Sequence, residues 1–68
     1  MTEFYVEVLD ANGTCYGTTD PWTDETIYFE DLAEAQMFAK SQLDETYILA
    51  RVIETGRDRA RVVDFFQR

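Results

Sequence analysis

Alternating polar and apolar residues constrain the fold of this chain more than any other feature. In residues 2–9, Phe4, Val6 and Val8 share one parity, and residues 47–55 form a second run rich in β-branched and aromatic side chains. A repeat of two places successive side chains on opposite faces of a strand, so both stretches are predicted strands. Asp10-Ala11-Asn12-Gly13 and Gly56-Arg57-Asp58-Arg59 are turn signals. The returning strands of two hairpins are predicted at 14–19 and 60–66.

One amphipathic helix is predicted between the hairpins. Asp31 is the N-cap and Glu34 occupies the third helical position, the arrangement of a capping box. The helix should run from Leu32 to about Leu43. A loop is predicted at 20–25, and 26–29 reads either as an extension of the second strand or as a lead-in to the helix. The inner stripe of the helix is Leu32, Ala35, Phe38, Ala39 and Leu43.

These elements predict a single α+β domain over residues 1–68: a four-stranded antiparallel sheet of two hairpins (ββαββ) with the helix packed on one face. A chain of 68 residues buries only about 60% of its unfolded surface, so its core is thin. The residues expected beneath the helix are Phe4, Val6, Val8, Ile48, Ala50 and Val52, with either Val63 and Phe65 or Val62 and Phe66.

A single helix leaves the second face of the sheet without a covering layer. This open face is predicted to carry Tyr5, Glu7, Leu9, Tyr47, Leu49, Arg51 and Ile53. A contiguous apolar patch is typical of an interaction site. The alternative is modest exposure, with the 20–29 segment folding over the face through Trp22 and Tyr28.

Charge is distributed very unevenly. Residues 1–39 contain nine acidic side chains and no lysine or arginine, in a chain of net charge −8. One interpretation is a solvated acidic surface that keeps a small protein soluble. The other is a negative surface that binds a basic partner. Direct phosphate binding by this half is disfavoured, because a negative segment repels it.

Composition argues against several kinds of chemistry, and we predict no catalysis, no metal and no cofactor. Histidine is absent, which removes the commonest general base and metal ligand. Cys15, the single cysteine, is expected to be a buried or idle thiol. Asp24 and Glu25 read as a solvated loop more readily than as an acid–base pair. The N-terminus lacks the pattern of a secretory signal, so a cytoplasmic protein is expected.

Two further features leave alternatives open. Arg57, Arg59 and Arg61 form a basic cluster. It contacts nucleic acid, forms surface pairs with Asp58, Glu54 or the acidic half, or contacts an acidic patch on a second copy. Trp22 is the best single anchor for a partner, since tryptophan is enriched at binding hot spots. Its alternative is to fold back and cap the thin core.

The chain is short, acidic and cysteine-poor, and its hairpins flank one capped helix, Phe29-Glu30-Asp31-Leu32-Ala33-Glu34-Ala35. In this size and pattern it resembles small phage-encoded inhibitors, including anti-CRISPR proteins. The resemblance implies inhibition by binding, with carboxylates placed where phosphates would lie on a host complex. Glu3, Glu7, Asp20, Asp24 and Glu25 would supply that mimicry.

The sequence therefore predicts a non-enzymatic acidic protein that occupies a basic, nucleic-acid-binding surface of a larger protein or ribonucleoprotein. It predicts no direct contact with nucleic acid or membrane. The predicted partner-binding residues are Glu3, Glu7, Asp20, Trp22, Asp24, Glu25, Glu30 and Glu34. The alternative is a homodimeric module that buries the open face through Tyr5, Leu9, Tyr47, Leu49 and Ile53.

Overall fold

The computed structural model, which describes residues 2–56 and 59–68, has one helix and one antiparallel sheet. The elements are β1 (Glu3–Asp10), β2 (Cys15–Gly17), α1 (Leu32–Ser41), β3 (Tyr47–Thr55) and β4 (Ala60–Gln67). The strand order across the sheet is β2-β1-β3-β4, and every neighbouring pair is antiparallel. The prediction of an α+β fold with a four-stranded antiparallel sheet is confirmed.

The first turn forms where the Asn-Gly signal predicts it. The Asp10 carboxylate accepts hydrogen bonds from the backbone N–H groups of Asn12 and Thr14, each at 3.0 Å. Gly13 has a φ of 83°, a conformation that favours glycine. The returning strand β2 is shorter than expected, with three residues.

The chain between β2 and α1 returns to the sheet once more before the helix begins. Thr19 forms a β-bridge with Thr26, and Phe29 forms one with Phe4 of β1. Phe4 and Phe29 exchange two backbone hydrogen bonds of 2.7 Å. The predicted arrangement of two simple hairpins around a helix (ββαββ) is therefore not correct as it stands, because residues 15–18 and then Phe29 both pair with the same edge of β1.

Helix α1 begins at the predicted cap. The Asp31 carboxylate accepts a hydrogen bond of 3.1 Å from the backbone N–H of Ala33. Ala35 and Ala39 are completely buried against the sheet, and their small side chains allow close packing of helix on strands. Leu32 is partly exposed at the margin, and the helix ends at Ser41, two residues earlier than predicted.

The core lies between α1 and the central strands. Phe4, Val6, Val8, Ala50 and Val52 are buried in one cluster with the helix alanines, as predicted. Phe29, Phe38, Leu43, Tyr47 and Phe66 pack around that cluster.

Two register shifts move residues away from the faces predicted for them. Between Leu9 and Asp10 the pairing with β3 slips by one residue, so Asp10 lies opposite Tyr47. Tyr47 consequently packs against the core and Ile48 is exposed, which reverses the prediction for both. A one-residue slip exchanges the faces of a strand, and alternation in the sequence does not reveal it.

The second shift lies in β4. Val52 pairs with Asp64, but Ile53 pairs with Val62, so Val63 is the extra residue. Phe66 packs toward the core, whereas Phe65 and Val62 lie on the open face. Neither pair predicted to lie under the helix, Val63 with Phe65 or Val62 with Phe66, is correct as a whole. The extra residue changes which side chains face the helix on either side of it.

Candidate interaction surfaces

Trp22 lies at the tip of a small hairpin that projects from the edge of β1. Thr18 donates its backbone N–H to the Val6 carbonyl at 3.2 Å, and Ile27 donates to the Thr18 carbonyl at 3.1 Å. Asp20 donates to the Glu25 carbonyl at 2.8 Å, which closes the loop that carries Trp22. The Thr18 hydroxyl adds a buried hydrogen bond of 3.0 Å to the Val6 carbonyl. The base of the hairpin is therefore fixed to the sheet.

The loop at this tip has internal supports of its own. The Asp20 carboxylate accepts a 2.7 Å hydrogen bond from the backbone N–H of Trp22, and the Asp20 carbonyl accepts one of 2.8 Å from Asp24. Asp24 has a φ of 59°, a left-handed conformation that aspartate and asparagine adopt more readily than most residues. Trp22 is 91% exposed, so it does not fold back over the core. The capping alternative for Trp22 is wrong.

Of the three carboxylates in this loop, one is engaged in the turn and two are exposed to solvent. Asp20 holds the turn through its hydrogen bond to Trp22, whereas the side chains of Asp24 and Glu25 are exposed. Across residues 2–56 and 59–68, ion pairs within 4.0 Å join only Arg51 to Glu7 and Arg61 to Glu54. Within that range, the negative charge beside Trp22 has no cation against it. We call Asp20, Trp22, Asp24 and Glu25 the acidic tip.

Glu3, Glu30 and Glu34 lie near the start of the sheet and of the helix. Because Phe4 pairs antiparallel with Phe29, the register sets Glu3 beside Glu30. Glu34 is in the first turn of α1, where a carboxylate interacts favourably with the helix dipole. All three are exposed. They form a second acidic group at another place in the fold.

Glu7 occupies a different environment from the other predicted contact residues. On the open face it accepts a hydrogen bond of 3.0 Å from the Arg51 guanidinium, directly opposite it in the ladder between β1 and β3. Burial opposes ionisation of Arg51, but the Glu7 carboxylate and Cys15 together outweigh it and raise the guanidinium pKa. Glu7 is therefore engaged within the chain, unlike the free carboxylate that phosphate mimicry requires. The signal in the sequence for this pair is that Glu7 and Arg51 carry opposite charges on the same predicted face.

The predictions for Cys15 and for the arginine cluster have different outcomes. Cys15 is exposed, so the expectation of a buried thiol is wrong, and its sulfur accepts a hydrogen bond of 3.5 Å from the Arg51 guanidinium. Arg61 donates to the Glu54 carboxylate at 3.0 Å, so the predicted pairing with Glu54 is confirmed. Arg57 and Asp58 lie outside the described residues.

Tyrosines flank the open face and the first turn. The Tyr5 and Tyr28 rings meet edge to face at 6.0 Å, so part of the predicted cover by the 20–29 segment is present. Burial and the nearby Glu7 charge raise the pKa of Tyr5. The Asp10 carboxylate, through its charge and a 3.2 Å hydrogen bond, raises the pKa of Tyr16.

The sequence analysis missed the hairpin that supports Trp22, because its pairs, such as Thr19 with Thr26, lie within and beside a segment predicted as a loop, and its anchor to the sheet is the distant Val6. Across the described part of the chain, no three residues among His, Cys, Asp and Glu form a group suited to hold a metal. No helix among the described residues is long and apolar enough to cross a bilayer. No family model, curated protein or solved structure compared with this chain matches it.

Proposed function

We propose that this chain is a non-enzymatic binding protein that occupies a basic, nucleic-acid-binding surface of a larger protein or ribonucleoprotein and inhibits it. The observation that carries the proposal is the acidic tip. A tryptophan that is 91% exposed stands on a braced hairpin beside the exposed carboxylates of Asp24 and Glu25. Exposing a large aromatic side chain to water is unfavourable, and such residues are the usual anchors of protein interfaces.

Two physical effects would act in sequence at the acidic tip. The field of a chain with net charge −8 attracts a lysine- or arginine-lined surface and accelerates encounter. Trp22 then buries its indole in the partner and slows dissociation, since hot-spot aromatics act mainly through residence time. The internal hydrogen bonds of the loop reduce the entropy lost on binding.

The more specific parts of the proposal follow from size and pattern. A short acidic chain with hairpins around one capped helix is similar to phage-encoded anti-CRISPR inhibitors, whose setting is the host cytoplasm. Under this proposal the carboxylates take positions that nucleic-acid phosphates would otherwise occupy. As contact residues for the partner, the acidic tip comes first, and Glu3, Glu30 and Glu34 form a second group. Glu7 is the weakest candidate, because it is paired with Arg51.

The test uses a panel of guide-loaded CRISPR effector ribonucleoproteins with fluorescently labelled target DNA as the probe. The protein should displace the DNA from a susceptible effector. Trp22→Ala should weaken binding about 30-fold, the equivalent of about 2 kcal/mol for a hot spot. The same substitution should change the free energy of unfolding by no more than about 0.5 kcal/mol, because Trp22 makes few contacts within the chain.

A charge-matched pair of variants separates the acidic tip from net charge. Glu25→Lys and Glu45→Lys alter the total charge equally, and both side chains are exposed. Glu25→Lys should slow association about tenfold and reduce its salt dependence, while Glu45→Lys should do so much less. Asp24 is better tested as Asp24→Asn, which keeps a residue suited to its positive φ. Equal effects of Glu25→Lys and Glu45→Lys would contradict a binding role for the tip.

A further inference from the structure

In the part of the chain that the structure describes, no helix lies over the open face of the sheet, and this face is apolar on both flanks. Toward β4 it carries Phe65, 60% exposed, and Val62, which pairs with Ile53. Toward the outer side of β1 it carries Tyr5 and the exposed Tyr28, whose rings are in contact. Exposed aromatic side chains thus lie on opposite flanks of one surface.

The centre of this face is polar but electrically balanced. Glu7 and Arg51 lie on the two central strands, opposite one another, with 3.0 Å between the guanidinium Nε and a carboxylate oxygen. Their charges cancel and leave a dipole directed across the strands. In a chain of net charge −8, this face is a region where a second copy meets little local repulsion.

A two-fold axis parallel to the strands makes the face complementary to itself. That rotation reverses the direction across the strands, so the dipoles of the two copies run antiparallel and each Glu7 approaches the partner's Arg51. The same rotation places the β4 flank of one copy over the opposite flank of the other, with Val62 at the level of Tyr28 and Phe65 at the level of Gly17. Strand directions are kept, which agrees with the aligned packing of two sheets about 10 Å apart.

We propose that the open face is the interface of a homodimer in which two copies pack sheet against sheet about this axis. Three strands about 26 Å long and the three-residue β2, about 10 Å long, lie about 4.8 Å apart and present about 420 Å². Two such faces bury about 850 Å², which is below the standard size of specific interfaces and typical of weak, transient ones. The dimer is therefore weak, and it is independent of the acidic tip.

The experiment is sedimentation equilibrium on the full chain and on two variants matched in chemistry. Phe65→Glu places a charge on the open face, whereas Met37→Glu places the same charge on the outer side of α1, where Met37 is 72% exposed. We expect the wild-type chain and Met37→Glu to dimerise, and Phe65→Glu to weaken the dimer at least tenfold. Raising salt to about 0.5 M should strengthen the dimer, because it screens repulsion between two acidic copies.

Several results would overturn the proposal. A wild-type chain that is still monomeric at about 1 mM has no such interface. A dimer unaffected by Phe65→Glu uses another surface; new protection of β4 backbone amides would identify edge pairing of that strand. If Phe65→Glu and Met37→Glu weaken the dimer equally, the added negative charge and not the open face is responsible. Circular dichroism and urea unfolding of Phe65→Glu show whether it is folded, and Val62→Glu serves as a second variant on the same face.

Discussion

The two faces of the sheet are built from the same strands but have different roles in the molecule. On the covered face, Val6 and Val52 are completely enclosed between the sheet and the alanines of α1. On the open face, Phe65 and Val62 are exposed, and the central position belongs to an ion pair. Successive side chains of one strand therefore differ in what they do: one stabilises the core, and the next is available to a partner.

The open face is nonetheless only partly exposed. Ile53 is 4% exposed although it lies apart from the cluster under the helix. It pairs with Tyr5 on one side and Val62 on the other, and side chains opposite one another in a sheet lie close together. Neighbouring side chains therefore shield part of this face without a second layer.

The largest effect expected is the difference between an enclosed and an exposed apolar side chain. Val52→Ala should lower the free energy of unfolding by about 2–3 kcal/mol, from the lost burial and the cavity left behind. Phe65→Ala should cost less than about 1 kcal/mol, because its ring is largely in water. Urea denaturation at low protein concentration measures both in the monomer. Costs that agree within error would break the distinction between the faces.

A smaller effect is expected at the ion pair. Arg51→Met should destabilise the fold by about 1 kcal/mol, because it removes the partner of a half-buried carboxylate. A double-mutant cycle with Glu7→Gln isolates the pair, and a coupling of about 0.5–1 kcal/mol is expected. The cycle of Arg61→Met with Glu54→Gln is a control, since Arg61 is much more exposed. A coupling at Arg51 no larger than this control would remove the special role of the central pair.

The smallest effect concerns the protonation of Tyr5. Burial and the Glu7 charge hold its pKa above the ordinary value in the folded chain. The neutral phenol is therefore favoured by folding, so its contribution to stability is complete below the unfolded pKa, near 10, and is lost as pH rises through the folded pKa. Resonances of the Tyr5 ring in an NMR titration should show the raised pKa, and Glu7→Gln should reduce it. A Tyr5 that titrates like an unfolded tyrosine would show that this flank is fully solvated.

Much of the fold follows from local patterns. The alternation of residues 2–9 and 47–55 predicted β1 and β3, and the Asp31 cap predicted the start of α1. These signals succeed because their causes lie within a few residues: the pleat of a strand, a carboxylate near a helix N-terminus, and a glycine in a turn. Of the candidate site, the sequence identified Trp22 and its neighbouring carboxylates and predicted a solvated loop at Asp24 and Glu25, but it left the exposure of Trp22 open.

Side-chain placement beyond these local units was decided by the assembled sheet. The slips at Leu9/Asp10 and Val52/Ile53 exchanged the faces of Tyr47, Ile48 and Val62, because register is a property of paired strands. Likewise, the exposed Trp22 stands on a hairpin whose base is tied to the sheet, because Ile27 donates a hydrogen bond to Thr18 and Thr18 donates one to Val6. The sequence alone determined the elements and the excess of negative charge; tertiary pairing decided which side chains meet solvent, since that depends on contacts between residues distant along the chain.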